Sequence, residues 1–204
     1  MFIASSVFLA LTVVSASQER WGDNWDNIRK AMAGVQSIKA NFVQKKNLKI
    51  LAKPLVSKGV FFYRAPEDLR WEYTSPIKKV LLVNRDMVKS YIWEEGDYVQ
   101  DAGAKLEATR IVMEQIASWL RGDYEENDAF VPQLKVAART RIELIPAKDF
   151  LKEFITRVTL TLSDTPGIIT FIEISEPHGS STILEFTDIS LNKSIPDTIF
   201  NRVK

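Results

Sequence analysis

The stretch Gly59-Val60-Phe61-Phe62-Tyr63-Arg64-Ala65-Pro66-Glu67-Asp68-Leu69-Arg70-Trp71-Glu72-Tyr73 decides the fold class. Side chains of an extended strand alternate between two faces. Leu69, Trp71 and Tyr73 therefore face one way, and Arg70 and Glu72 the other. The Ala65-Pro66-Glu67-Asp68 segment carries turn residues between two such runs, so the pair reads as adjoining antiparallel strands.

The same pattern recurs in both directions. Strand-like runs cover Ser37–Leu51, Leu55–Tyr63, Leu69–Tyr73, Lys79–Val83, Met87–Trp93, Phe130–Ala138, Arg141–Ile145, Ile155–Leu162, Ile168–Ser175 and Thr182–Ser190. Many short strands separated by tight turns, with no βαβ alternation, predict a large antiparallel sheet that is curled or closed. Two helices interrupt it. Trp21, Trp25, Ile28, Met32 and Val35 form one stripe at helical period ahead of the first strand, with Gly34 near its end. Leu106, Met113, Ile116, Ala117 and Leu120 share a face between Lys105 and Arg121, and Gly122 is placed to stop that helix. The predicted fold is α+β but mainly β: one curled antiparallel sheet covered by two amphipathic helices.

Ahead of this lies an apolar run from Phe2 to Val14 that is short for a membrane span. It ends in Val14-Ser15-Ala16, the small-x-small pattern of a signal-peptidase site, although no Lys or Arg follows Met1. The expectation is a cleaved signal over residues 1–16 and one domain over residues 17–204, with an uncleaved anchor or a buried strand as alternatives. Export to the periplasm follows from that reading.

Composition narrows the function classes. Lys plus Arg number 27 against 26 Asp plus Glu, so no net field draws in nucleic acid or an anionic membrane. With no cysteine the chain has neither a disulfide nor a lipobox thiol, and with one histidine it has no structural zinc set. His178 lies in the turn Glu176-Pro177-His178-Gly179, which reads as surface. G-x-S-x-G, Walker and G-x-G-x-x-G motifs are absent. No catalytic residue, metal or cofactor is expected, and the chain does not read as an enzyme. Lys45-Lys46-Asn47-Leu48-Lys49 reads as the outer face of a strand. What remains is a surplus of apolar side chains, including Phe42, Phe61, Phe62, Tyr63, Trp71, Tyr73, Tyr91 and Trp93, with Val80-Leu81-Leu82-Val83 apolar on both faces. Either a barrel core or an apolar cavity suited to acyl chains accounts for them.

The order of elements carries a resemblance. Phe42-Val43-Gln44 on the first strand, the segment from Gly59 to Arg64, then Pro66, Leu69-Arg70-Trp71 and Pro76 resemble the periplasmic outer-membrane lipoprotein carrier family (LolA-like). Leu144-Ile145-Pro146, the Gly179 turn, Ile183 to Ile189, Asn192, Ile195 and Phe200 extend the likeness over nearly all of residues 17–204. The resemblance implies a half-open antiparallel β-barrel (curled sheet) covered by an N-terminal helix and a lid helix. It also implies a monomeric carrier and chaperone that takes lipoprotein acyl chains from an inner-membrane lipoprotein-releasing ABC transporter and hands them to an outer-membrane acceptor. Its expected cavity residues are Phe42, Phe61, Leu69, Trp71, Tyr73, Val80, Leu82 and Trp93, with Met113, Ile116 and Leu120 as a lid that fills the empty cavity. Arg64 matches the family's lid-latching arginine, with Ala65 inserted before the proline. Rival readings are a lipid- or lipoprotein-sensing regulatory domain of the same fold, an acceptor lacking its lipid anchor, and a hydrolase on a similar sheet.

Overall fold

The computed structural model describes residues 20–84, 87–101, 115–124 and 128–203. Residues 1–16 and Met113 lie outside them. Eleven antiparallel strands form one curled sheet: β1 Ser37–Asn47, β2 Leu55–Arg64, β3 Asp68–Ser75, β4 Lys79–Asn84, β5 Met87–Glu94, β6 Asp97–Gln100, β7 Phe130–Lys135, β8 Arg141–Pro146, β9 Arg157–Leu162, β10 Ile169–Ser175 and β11 Ser181–Leu191. The spatial order is β6-β5-β4-β3-β2-β1-β11-β10-β9-β8-β7. Every neighbour follows in sequence except β1 and β11, whose pairing brings the two halves together. The edges β6 and β7 do not pair with each other, so the barrel stays open. Register shifts in β1 and β10 and between Lys58 and Gly59 mark bulges, which bend strands and increase their twist.

Of the chain between the two edges, residues 115–124 lie on the concave face, with Ile116, Trp119, Leu120 and Tyr124 in its core. The described helical residues of this segment, 115–121, form α2. Gly122 stops this helix in the left-handed region at φ 82°. The Gly122 amide donates to Trp119 and the Asp123 amide to Ser118, both at 3.1 Å, the paired bonds of a Schellman ending. Helix α1, Trp25–Ala33, starts where the Asn24 side chain accepts from the Asn27 amide. It buries Ile28 and Met32 in the same core. Trp21 lies in the turn before α1 and donates its indole N–H to Ser163 at 2.8 Å. Two single-turn helices, α3 (Asp149–Lys152) and α4 (Thr198–Asn201), complete the fold.

The sheet buries residues on both faces at β4. Leu81 and Val83 pair with Trp71 and Leu69 and face the concave core. Val80 and Leu82 pair with Glu72 and Arg70 and therefore face outward, under α4 and its buried Phe200. Arg70 is itself buried there. It pairs with Glu72 at 2.7 Å and donates to the carbonyls of Ile199 and Arg202 at 3.0 and 2.8 Å. A cation on the last carbonyls of a short helix satisfies groups that the helix leaves unpaired.

Candidate functional site: an apolar chamber filled by α2

The concave face is built from alternate residues of the central strands. Phe42 of β1 sits directly across from Gly59 of β2. A Cβ at Gly59 would lie 2.0 Å from the Glu72 carbonyl oxygen and 2.5 Å from Phe42 Cζ, so the glycine is what lets that ring lie flat on the sheet. The Phe42 ring meets Trp71 at 4.6 Å and Tyr73 edge-on at 5.3 Å between centroids. Phe61 and Phe186 close on Trp71 at 5.4 and 6.2 Å. These tilted and T-shaped pairs suit the ring quadrupoles. Burial pushes the Tyr73 hydroxyl up to about 12, and it donates to the Gln44 side chain at 2.9 Å.

Helix α2 lies against this face with Ile116, Trp119 and Leu120 buried at 5–8 % exposure. On one side it leaves a cleft of about 30 Å³, lined by Ala40, Phe61, Ile169, Ile172, Phe186 and Leu191 among others. On the other it leaves one of about 50 Å³ against Phe130, Leu151, Ile155, Val158 and Leu184. Volumes of this size hold only a few waters, and apolar walls give them nothing to bond to. These two clefts are therefore narrow, and the described residues of α2 occupy the space between them.

Two polar atoms inside this core have no hydrogen-bond partner among the described residues: the Trp71 indole Nε1 and the Tyr124 hydroxyl. Burial raises the Tyr124 pKa strongly. Unpaired buried donors cost free energy and are uncommon.

Five of the eight cavity residues expected from sequence (Phe42, Phe61, Leu69, Trp71 and Tyr73) share the concave face. Three do not, for one reason. Val80 and Leu82 occupy the outward phase of β4, and Tyr91 pairs with Val80, which puts Trp93 on the outward face too. Trp93 is 38 % exposed, edge-on to Tyr98 and under the Lys78 ammonium. In a run apolar on both faces, such as Val80 to Val83, alternation cannot give the phase. Ile116 and Leu120 are in place on α2. Sequence reading passed over Trp119, three residues beyond Ile116 on the same helix face, and Phe186, two beyond Leu184 on β11; both periodicities were available.

Among the described residues, the bonds of Arg64 go to the β2–β3 turn and to α4, and none goes to residues 115–121 of α2. Arg64 pairs with Asp68 and Asp197, donates to the Ile195 carbonyl at 3.5 Å, and stacks on Phe200 at 4.7 Å. It is in effect the anchor of α4. The bond between helix and turn runs the other way: Arg121, at the end of α2, donates to the Pro66 carbonyl at 3.4 Å, beside the Tyr63 hydroxyl at 3.3 Å from the same oxygen.

Among the described residues no acidic or histidine cluster suits a metal ion, and no helix is long and apolar enough to cross a membrane.

The family model described as outer membrane lipoprotein carrier protein LolA matches residues 33–203. The chain belongs to this family. An outer-membrane lipoprotein carrier protein from Nitrosospira multiformis is 22 % identical over 176 residues, covering 85 % of this chain and 81 % of the relative. Among solved structures, a DUF1329 family protein from Desulfovibrio piger matches with a TM-score of 0.49 at 10 % identity, over 84 % of this chain and 92 % of the other. A LolA superfamily protein from Nitrosomonas europaea matches with a TM-score of 0.41 at 11 % identity, over 87 % and 97 % of the two chains.

Proposed function

We propose that this LolA-family protein is a periplasmic carrier that holds the acyl chains of lipoproteins in the space now occupied by α2. On this reading it moves them from an inner-membrane ABC transporter to an outer-membrane acceptor, and it catalyses no reaction. The observation that carries the proposal is the concave face itself, covered by α2 and leaving narrow clefts lined almost wholly by apolar side chains.

The energetics favour a reversible exchange. A sixteen-carbon chain gains on the order of 10 kcal/mol on burial. Expelling Ile116, Trp119 and Leu120 from the core costs about 5–9 kcal/mol at about 1.5–3 kcal/mol per side chain. Helix and cargo are thus near balance, which a protein that both loads and releases its cargo requires. The Tyr124 O–H, which has no partner among the described residues, also offers a donor to the ester or amide carbonyls at the head of an acyl chain.

Native mass spectrometry of the protein isolated from periplasm tests this. The expected result is a fraction carrying the mass of a lipid or lipidated peptide. Recovery from the cytoplasm, or a ligand without an acyl chain, overturns the reading.

A further inference from the structure

The tip of the β1–β2 hairpin lies beyond the part of these strands that lines the chamber and contributes no residue to either cleft. Residues 49–56, Lys49-Ile50-Leu51-Ala52-Lys53-Pro54-Leu55-Val56, are exposed without a break. Ile50 is 89 % exposed, Leu55 54 %, and Leu51 and Val56 43 % each. Single exposed aliphatics are ordinary, but four together at a hairpin tip mark a surface that meets something apolar.

The charge there is equally one-sided. No Asp or Glu occurs between Asp26 and Glu67, while Lys45, Lys46, Lys49, Lys53 and Lys58 surround the tip of a chain whose overall charge is only +1. Lys45 pairs with Glu185 of β11, and Lys46 with Glu176 in the β10–β11 connection. Lys49, Lys53 and Lys58 have no carboxylate partner among the described residues. Strand register places the tip at the same end of the sheet as the β3–β4 turn and α3, where Ile77, Phe150 and Phe154 are 55–66 % exposed.

We propose that this hairpin is a membrane-docking tip. Ile50, Leu51, Leu55 and Val56 enter the boundary between headgroups and acyl chains, and Lys49, Lys53 and Lys58 engage anionic phospholipid headgroups. A protein surface would favour Trp, Tyr and Arg at its energetic centre and disfavour Lys. The tip has no aromatic residue and no arginine, only aliphatics and lysines. That is the composition of an interfacial anchor, where apolar burial and attraction to anionic lipid add. The inference goes beyond the carrier reading and does not depend on what the chamber holds.

The test is flotation of the full protein with vesicles of phosphatidylcholine alone and with about a third phosphatidylglycerol, the anionic surface that lysines sense. Binding is expected to the anionic vesicles and to weaken as salt screens the lysines. Each lysine near such a surface is worth about five-fold, so Lys49→Gln, Lys53→Gln and Lys58→Gln together should lower partitioning on the order of a hundredfold. Ile50→Asn with Leu51→Asn should abolish binding at low salt as well. Both sites are exposed, so the variant keeps its thermal transition and its affinity for an acyl probe in the chamber. No binding of the wild type to anionic vesicles, or binding unchanged in the Asn variant, overturns the proposal. Loss of acyl binding in the wild type would instead sink the carrier reading and leave this one standing.

Discussion

If α2 is a stopper that competes with cargo, weakening its packing must strengthen cargo binding. The perturbation is Ile116→Ala with Leu120→Ala, two side chains at 6 and 8 % exposure on the face that α2 turns to the sheet. Such truncations cost about 2–5 kcal/mol each where the surroundings cannot collapse. Clefts of about 30 and 50 Å³ already flank the helix, so the lower bound applies. Together that is about 4 kcal/mol, or close to a thousandfold in an equilibrium constant. An acyl ligand that must displace α2 should therefore bind the double variant up to about a thousandfold more tightly, although the variant unfolds more easily. Isothermal titration with a palmitoylated peptide measures the affinity. Ile142→Ala, at a fully buried position on β8, is the control. It should lose comparable stability with no gain in affinity. Equal or weaker binding by the α2 variant would refute the stopper, and an equal gain in Ile142→Ala would reduce it to general softening.

Three further outcomes follow from the geometry. Gly59→Ala forces a methyl into the Glu72 carbonyl and the Phe42 ring, so the denaturation midpoint should fall by the equivalent of about 1–3 kcal/mol; an unchanged midpoint would mean that Phe42 does not lie on β2. Arg64→Leu should cost about 1 kcal/mol, since its ion pairs are part-exposed, and should speed hydrogen exchange at residues 198–202 but not at 115–121; the reverse pattern would restore Arg64 as a latch on α2. The Tyr73 hydroxyl, raised from 10.0 to about 12, stays neutral in the folded state while the unfolded chain ionises. This group alone should lower stability between about pH 10 and 12 by about 1.4 kcal/mol per unit, a share that Tyr73→Phe removes while the buried Tyr63 and Tyr124 keep theirs. A variant with an unchanged alkaline limb would contradict that assignment.

Strand alternation made most of the sheet legible. Met87–Trp93 and Leu69–Tyr73 fall within one or two residues of β5 and β3, because each is half apolar and bounded by turn residues. β6 escaped notice because Asp97-Tyr98-Val99-Gln100 is four residues long and mostly polar. α3 and α4 escaped because one turn of helix shows no periodicity. The site was legible where alternation had a polar phase, as in Leu69-Arg70-Trp71-Glu72-Tyr73. It was not legible at Val80 to Val83, where both faces are covered. Only the tertiary placement of α4 over β4 tells its outward residues from its inward ones. The role of Arg64 was likewise beyond sequence reading, since its partners Asp197 and Ile195 lie more than a hundred residues away.

Hydrogen exchange at residues 115–121, with and without a saturating triacylated lipopeptide, tests the central claim most directly. If acyl chains occupy the space that α2 now fills, those amides should lose protection on binding while the strands of the central sheet keep or gain it. Exchange at α2 that does not change, or that slows, would contradict the account.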